Sequence, residues 1–311
     1  MIINTGCRTD IPAFYSKWLM NRIREEYVLV RNPYYPSQVT KYNLSPKVVD
    51  CLAFCTKNPE PMLKYLHELD IYKQYWFVTI TPYGKDIEPV VLDKEKVIES
   101  FKKLSNHIGV NSIGWRYDPI FINKAFDVEK HIKCFENMAQ KLKGYTQDCT
   151  ISFLDLYEKV KRNAPELRPP TKEEQIQIAK AFAQIGKAND MTIHACCEKN
   201  FLSEYGLKCN GCMSQKIVEK SINCKLEPPK RKNLRQECNC LMGNDIGAYN
   251  TCGHLCKYCY ANANKSLVIE NIKKHNENSP FLLGNNEAGD KIIEVKQKSW
   301  TVCENEQISF I

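Results

Sequence analysis

The chain has 311 residues, 43% of them hydrophobic, and a formal net charge of +8 from 44 basic and 36 acidic residues. This is the composition of a soluble globular protein with enough apolar side chains for one large core. No stretch approaches the ~18 uninterrupted apolar residues of a membrane span, and the positive surplus is too small to mark a nucleic-acid protein by itself.

The first residues, through Phe14, lack a basic segment followed by an apolar run, so a secretory signal is not expected. From there the chain alternates short β-branched runs with longer helical stretches. Predicted strands are Ile2–Asn4, Val48–Phe54, Trp76–Thr81, Ser112–Tyr117, Cys149–Phe153 and Thr192–Ala195. Predicted helices between them are Ala13–Glu26, Pro59–Leu69, Lys94–Leu104, Val128–Leu142 and Lys172–Lys187. The last of these starts with Thr171 and Glu174 at capping-box spacing. Val28–Val30 and Val39–Tyr42 flank a proline-containing loop and read as an antiparallel hairpin. Strand–helix alternation over this length predicts a parallel α/β fold, a (β/α) barrel or partial barrel.

In such barrels the site is built at the C-terminal ends of the strands. Lys57, Glu88, Arg116, Asp118, Ser152 and Asp155 all fall there and read as site lining. Each taken singly is as easily a helix cap or a local ion pair. Beyond residue 195 the periodicity weakens. Residues 196–240 read as a cysteine-rich, loop-rich insert, and Lys225–Arg235 is its one concentrated basic stretch. Ala261–Lys274 is helical again, and 276–311 is a mixed tail. The expected division is therefore a barrel of 1–195 and 241–275, the insert 196–240, and a tail packing on the barrel.

Cysteine usage is the unusual figure. Of 16 cysteines, ten lie between Cys196 and Cys259. A long chain without a secretory signal is expected in the reducing cytoplasm, where clustered cysteines mean metal or redox chemistry more often than disulfides. Cys252, Cys256 and Cys259 have the spacing Cys-x3-Cys-x2-Cys, and three thiolates so close in sequence can converge on a compact metal centre. A structural zinc takes four ligands, and a [4Fe–4S] cubane normally takes four cysteines. Three on a cubane leave one iron open to a reactant. Upstream, Cys209-x2-Cys212 and Cys238-x-Cys240 are metal-competent pairs, and Cys196-Cys197 closes a strand.

Cys-x3-Cys-x2-Cys with an aromatic residue, Tyr258, before the last cysteine resembles the signature of the radical SAM superfamily. The resemblance implies a [4Fe–4S] cluster on Cys252, Cys256 and Cys259 that binds S-adenosylmethionine and cleaves it reductively to a 5′-deoxyadenosyl radical. It further implies a barrel of the radical SAM type and Tyr258 as a cofactor contact. From their strand-end positions, Ser152 is a second candidate cofactor contact, and Lys57, Glu88, Arg116, Asp118 and Asp155 are the catalytic candidates. A reductant such as ferredoxin or flavodoxin would be the partner. The motif comes late in the chain, so the barrel looks circularly permuted, with 246–249 as the cluster strand closing against Ile2–Asn4. Thr56–Pro59, Trp115–Ile120, Ile151–Tyr157 and Asp245–Asn262 together resemble an uncharacterised domain-of-unknown-function family of radical-SAM-like proteins. More distantly, the order of strand motifs is similar to that of spore photoproduct lyase. The family resemblance also places cysteines at Cys196, Cys212, Cys238 and Cys240, which implies an auxiliary [4Fe–4S] cluster or a zinc. The substrate is left open: a small molecule, a peptide or a nucleic acid. The alternative from the residues alone is a zinc-stabilised nucleic-acid-binding protein without catalysis.

Overall fold

Strand order in the main sheet differs from strand order in the chain, and this difference positions the cysteines. A computed structural model describes residues 1–230, 238–241 and 243–302. The strands in chain order are β1 (Ile2–Asn4), β2 (Tyr27–Arg31), β3 (Gln38–Asn43), β4 (Cys51–Thr56), β5 (Gln74–Thr79), β6 (Ile113–Ile120), β7 (Asp148–Phe153), β8 (Thr192–Ala195), β9 (Lys225–Leu226), β10 (Asn244–Asp245), β11 (Lys291–Glu294) and β12 (Thr301–Val302). Seven of them form one sheet in the order β10-β1-β4-β5-β6-β7-β8. Every neighbouring pair is parallel. Helices fill the crossovers, as a parallel sheet requires. The result is a mixed α/β fold compatible with a partial α/β barrel. Among the described residues, no ladder joins β8 to β10.

The outer face of the sheet is held by aromatic packing against the helices. Trp115 stacks on Phe135 at 4.7 Å between ring centroids, and Phe135 stacks on Phe182 at 3.7 Å. Trp76 stacks on Phe54 at 3.9 Å. Because strand side chains alternate, Trp115 and Tyr117 go to this layer while Arg116 and Asp118 go to the opposite, inner face. The helices Lys94–Ile108 and Val128–Leu142 are capped by Asp93 and Asp127. Thr171 and Glu174 form the predicted capping box at the start of the helix Lys172–Ala188.

The predicted hairpin is present: β2 and β3 pair antiparallel from Tyr27↔Asn43 to Arg31↔Val39. Two predicted helices are each broken in two. Ile11–Phe14 and Ser16–Arg24 are separated at Tyr15, whose hydroxyl donates to the Thr251 carbonyl at 2.7 Å. Glu60–Leu63 and Leu66–Leu69 are separated at Lys64 and Tyr65. The cluster strand is shorter and earlier than 246–249, because its ladder with β1 ends at Asn4↔Asp245. There Arg8 turns the chain, its guanidinium bonded to the carboxylate and the carbonyl of Asp245.

The 196–240 segment carries more regular structure than a loop-rich insert would. It contains a 3-10 turn at Asn200–Tyr205 and a helix at Gln215–Ile222 that buries Ile217, Val218 and Ile222. Ser221 of this helix donates to the Gln74 carbonyl at 2.7 Å, and Lys220 bonds Gln147 at 2.8 Å. The helix therefore sits at the starting ends of β5 and β7. Positions 231–235 of the basic stretch, and the tail beyond 302, lie outside the described residues. The rest of the tail docks by β-pairing: β11 lies parallel to β3, and β12 antiparallel to β9. Among the described residues, no helix is long and apolar enough to cross a membrane.

Candidate metal centres

Two groups of cysteines come together, one at each side of the sheet's inner face. The first is the Cys252–Cys259 loop that follows β10. Asn250 and Leu255 adopt left-handed backbone conformations, which fold the loop back on itself. It is then fixed from several elements. Asn262 donates to the Cys252 carbonyl at 2.8 Å, Lys257 N–H to the Ile87 carbonyl at 3.0 Å, and Val90 N–H to the His254 carbonyl at 3.3 Å. The Asp10 carboxylate joins three elements: it caps Ile11–Phe14, accepts from Lys57 N–H at 2.7 Å, and pairs with His254 Nε2 at 2.8 Å.

Burial dominates the chemistry of these thiols. It pushes Cys252 well above the ordinary thiol range, with the charges of Asp10, Cys259 and Cys256 adding to it. Burial pushes Cys256 up to about 12, against the opposing pull of Lys57. Half-buried thiols that repel one another as thiolates are suited to a cation, which would favour their deprotonated form. Ala261 N–H already donates to the Cys259 sulfur at 3.3 Å.

Lys57, Glu88 and Tyr258 come together beside this loop. Lys57 Nζ lies 2.8 Å from Glu88 Oε1, and Thr81 donates to the same oxygen at 2.7 Å. Lys94 and the Tyr258 hydroxyl also bond Glu88. Burial alone would raise the Glu88 carboxyl, yet the two ammonium groups bring it down to about 2. For Lys57 the burial penalty is outweighed by Glu88 and Cys256, which raise it. Tyr258 packs on Tyr83 and Phe121, and Lys57 lies over its ring.

Arg116, Asp118 and Ser152 make a second polar set deeper on the inner face. Arg116 Nη2 lies 2.6 Å from Asp118, which also accepts from Ser152, and Nη1 donates to the Cys55 sulfur at 3.6 Å. Its Nε has no partner. Gly6 lets the backbone beside Cys7 press on Cys55, since a Cβ there would stand 2.2 Å from the Cys55 carbonyl oxygen. Asp155 joins neither set. It is exposed on the segment after β7, and it accepts from the Tyr157 hydroxyl at 3.4 Å.

The second cysteine group gathers at the end of β8. Sulfurs of Cys196, Cys212 and Cys240 all lie within 4.8 Å of one another. Cys212 and Cys240 are 3.4 Å apart, and Met213 N–H donates to the Cys240 sulfur at 3.4 Å. Gly211, at φ +83°, leaves the space that brings Cys240 close, its absent Cβ position being 3.0 Å from that sulfur. Cys238 bonds Cys197 and Cys240, so it belongs to the same neighbourhood. Cys197, 3.9 Å from Cys196, joins them as well and was not among the residues singled out from sequence. The Cys196-Cys197 dipeptide at a strand end was its only signal. Bonding to Cys197 raises the Cys196 thiol, and bonding to Cys196 raises Cys212. Cys209 and Cys224 stay out of the group: Cys209 faces the Lys199 carbonyl, and Cys224 is exposed.

A cavity of about 620 Å³ opens beside the first loop. Its wall includes Gly247–Asn250, Tyr260 and Ala261 from either side of the cysteines, with Arg8, Tyr34, Tyr157 and Lys159 around it. Tyr34, Tyr157 and Tyr260 are exposed there, an unusual concentration of aromatic rings facing water.

A family described as a domain of unknown function, DUF1848, has a model that matches residues 2–261. That span takes in every strand of the main sheet and both cysteine groups. No curated protein matches the chain.

Proposed function

We propose that this chain, which belongs to the DUF1848 family, is a radical SAM enzyme acting on a substrate that enters through the cavity beside Tyr260. The observation that carries the reading is the Cys252–Cys259 loop: three half-buried thiols after the edge strand β10, backed by the Lys57 ammonium, with burial raising Cys252 and Cys256. Three cysteines suit a cubane that leaves its fourth iron open to a reactant. With such a [4Fe–4S] cluster and S-adenosylmethionine bound, the chemistry supplied would be one-electron cleavage to a radical that abstracts hydrogen.

The chain's own residues would hold and shield that chemistry. Cys252, Cys256 and Cys259 are the ligands. Lys57 offsets the negative charge of the thiolates at Cys256. Glu88 is committed to four partners, so it positions Lys57 and Tyr258 rather than meeting a ligand. Tyr258, fixed by Glu88 and two aromatic neighbours, presents a flat face for the nucleoside. Arg116, with Nε unpartnered and Asp118 and Ser152 beside it, would take a polar group of the substrate or of the methionine moiety. The electron would come from a small reductant such as ferredoxin or flavodoxin.

The second group supports a different metal. A tetrahedral zinc with Zn–S of ~2.3 Å places its sulfurs about 3.8 Å apart. The separations of 3.4 and 3.9 Å fit one ion better than a cubane. Cys196, Cys212 and Cys240, with Cys238 or Cys197 as the fourth, would hold a structural zinc that ties the 196–240 segment to β8. On this reading zinc belongs to the scaffold of an enzyme, and a binding protein without catalysis is the weaker account.

The test is anaerobic. Protein reconstituted with iron and sulfide, given dithionite and S-adenosylmethionine, should release 5′-deoxyadenosine, and Cys256→Ala should abolish that release. A fully loaded cluster that yields no cleavage overturns the proposal.

A further inference from the structure

Away from both cysteine groups, two imidazoles and a carboxylate meet on the surface. His67 and Asp70 come from the short helix Leu66–Leu69 and its cap, and His107 from the last turn of Lys94–Ile108. One ring bonds each oxygen of the carboxylate: His107 Nε2 lies 2.8 Å from Asp70 Oδ1, and His67 Nδ1 3.4 Å from Oδ2. The rings meet edge to face with centroids 4.9 Å apart, and all three ligand atoms lie within 4.8 Å of one another. A simple solvated ion pair needs only one histidine on the carboxylate. Here a second ring is brought in from another helix, sharing the same acid.

We propose that His67, Asp70 and His107 form a surface site for a divalent transition-metal ion such as zinc. Imidazole nitrogen and carboxylate oxygen are the donors such an ion takes, at ~2.0–2.2 Å, so its ligand atoms stand roughly 3.4 Å apart. The two histidine–carboxylate separations, 2.8 and 3.4 Å, are within an ångström of that, and the two ring nitrogens stand no more than 4.8 Å apart. Two neutral rings and one carboxylate leave a net negative charge for the cation, and water would take the fourth position. Bound metal would pin the Leu66–Leu69 helix to the end of Lys94–Ile108, joining two successive crossovers of the sheet. The site stands independently of the radical reading.

Zinc is the probe. The full-length chain and His67→Ala, His107→Ala and Asp70→Asn variants are equilibrated with the same micromolar free zinc under reducing, anaerobic conditions. Bound zinc is then counted per chain, and the thermal midpoint is recorded with and without zinc. Each variant is expected to hold one zinc fewer than the parent, and the zinc-dependent rise in midpoint should shrink. His67 is 91% exposed, so its replacement leaves folding intact and keeps the comparison valid. Equal zinc content and equal midpoint shifts in parent and His67→Ala would overturn the proposal. Loss of the cysteine-bound zinc is read separately in a Cys240→Ala chain, which should retain the histidine-dependent ion.

Discussion

Replacing Glu88 with glutamine removes a buried negative charge from between two ammonium groups. Glu88 is fully buried, while Lys57 and Lys94 remain 13% and 22% exposed. Its carboxyl is held at about 2, against an ordinary value of 4.5. At about 1.4 kcal/mol per pH unit this is roughly 3 kcal/mol of stability at neutral pH. A depressed carboxylate contributes above its unfolded value and loses that contribution as pH falls through its folded one. The stabilisation should therefore be complete above pH 4.5 and decline toward pH 2. Urea unfolding of the parent and of Glu88→Gln, with the cysteine sites in the same metal state, measures it directly. The gap should be roughly 3 kcal/mol at neutral pH and should close as the solution is acidified toward the folded value. A variant as stable as the parent at neutral pH, or a gap independent of pH, would refute the assignment of Glu88 as an ionised anchor.

Three further outcomes are expected. Cys240→Ala should remove the zinc of the second group while leaving the iron content of the Cys252–Cys259 loop unchanged, read by metal analysis on one sample. Phe182→Ala removes the buried ring that stacks on Phe135 and meets Tyr117 edge-on, and should cost about 3–5 kcal/mol in denaturant unfolding. Thr171→Ala breaks the capping box of Lys172–Ala188 and should cost about 1 kcal/mol, whereas Thr171→Ser should restore most of it.

Periodicity and caps are local properties, and they carried the sequence reading where the structure is local. Thr192–Ala195 and Val128–Leu142 are found at the predicted ends, and the Val39–Tyr42 hairpin arm lies within β3. The helix breaks at Tyr15 and Tyr65 were not legible. At Tyr15 the break coincides with a bond to Thr251, more than two hundred residues away. The same distance hid the partners of Lys57, Glu88 and Arg116: their positions at strand ends were readable, while their pairing depends on which strands are neighbours. Cys197 falls outside the expected ligand set because it lies beyond the last residue of β8, where strand alternation no longer says which way a side chain turns. Its backbone there has a positive φ of 58°, and its sulfur stands 3.9 Å from that of Cys196. The helix Gln215–Ile222 was obscured by the prolines and lysines that follow it.

The parallel pairing of Asn244–Asp245 with Ile3–Asn4 has a consequence for how the protein is made. During synthesis the other six strands of the sheet emerge first, and the Cys196–Cys240 thiols are exposed before the strand leading to Cys252. The second cysteine group can thus be complete while the Cys252–Cys259 loop is still unmade. On the proposed reading, iron–sulfur assembly would wait for nearly the whole sheet, with the segments that carry Lys57, Glu88 and Asp10 already in place beyond their strands. A chain stopped before residue 244 would keep the second cysteine group and lack the loop on which the proposed chemistry depends.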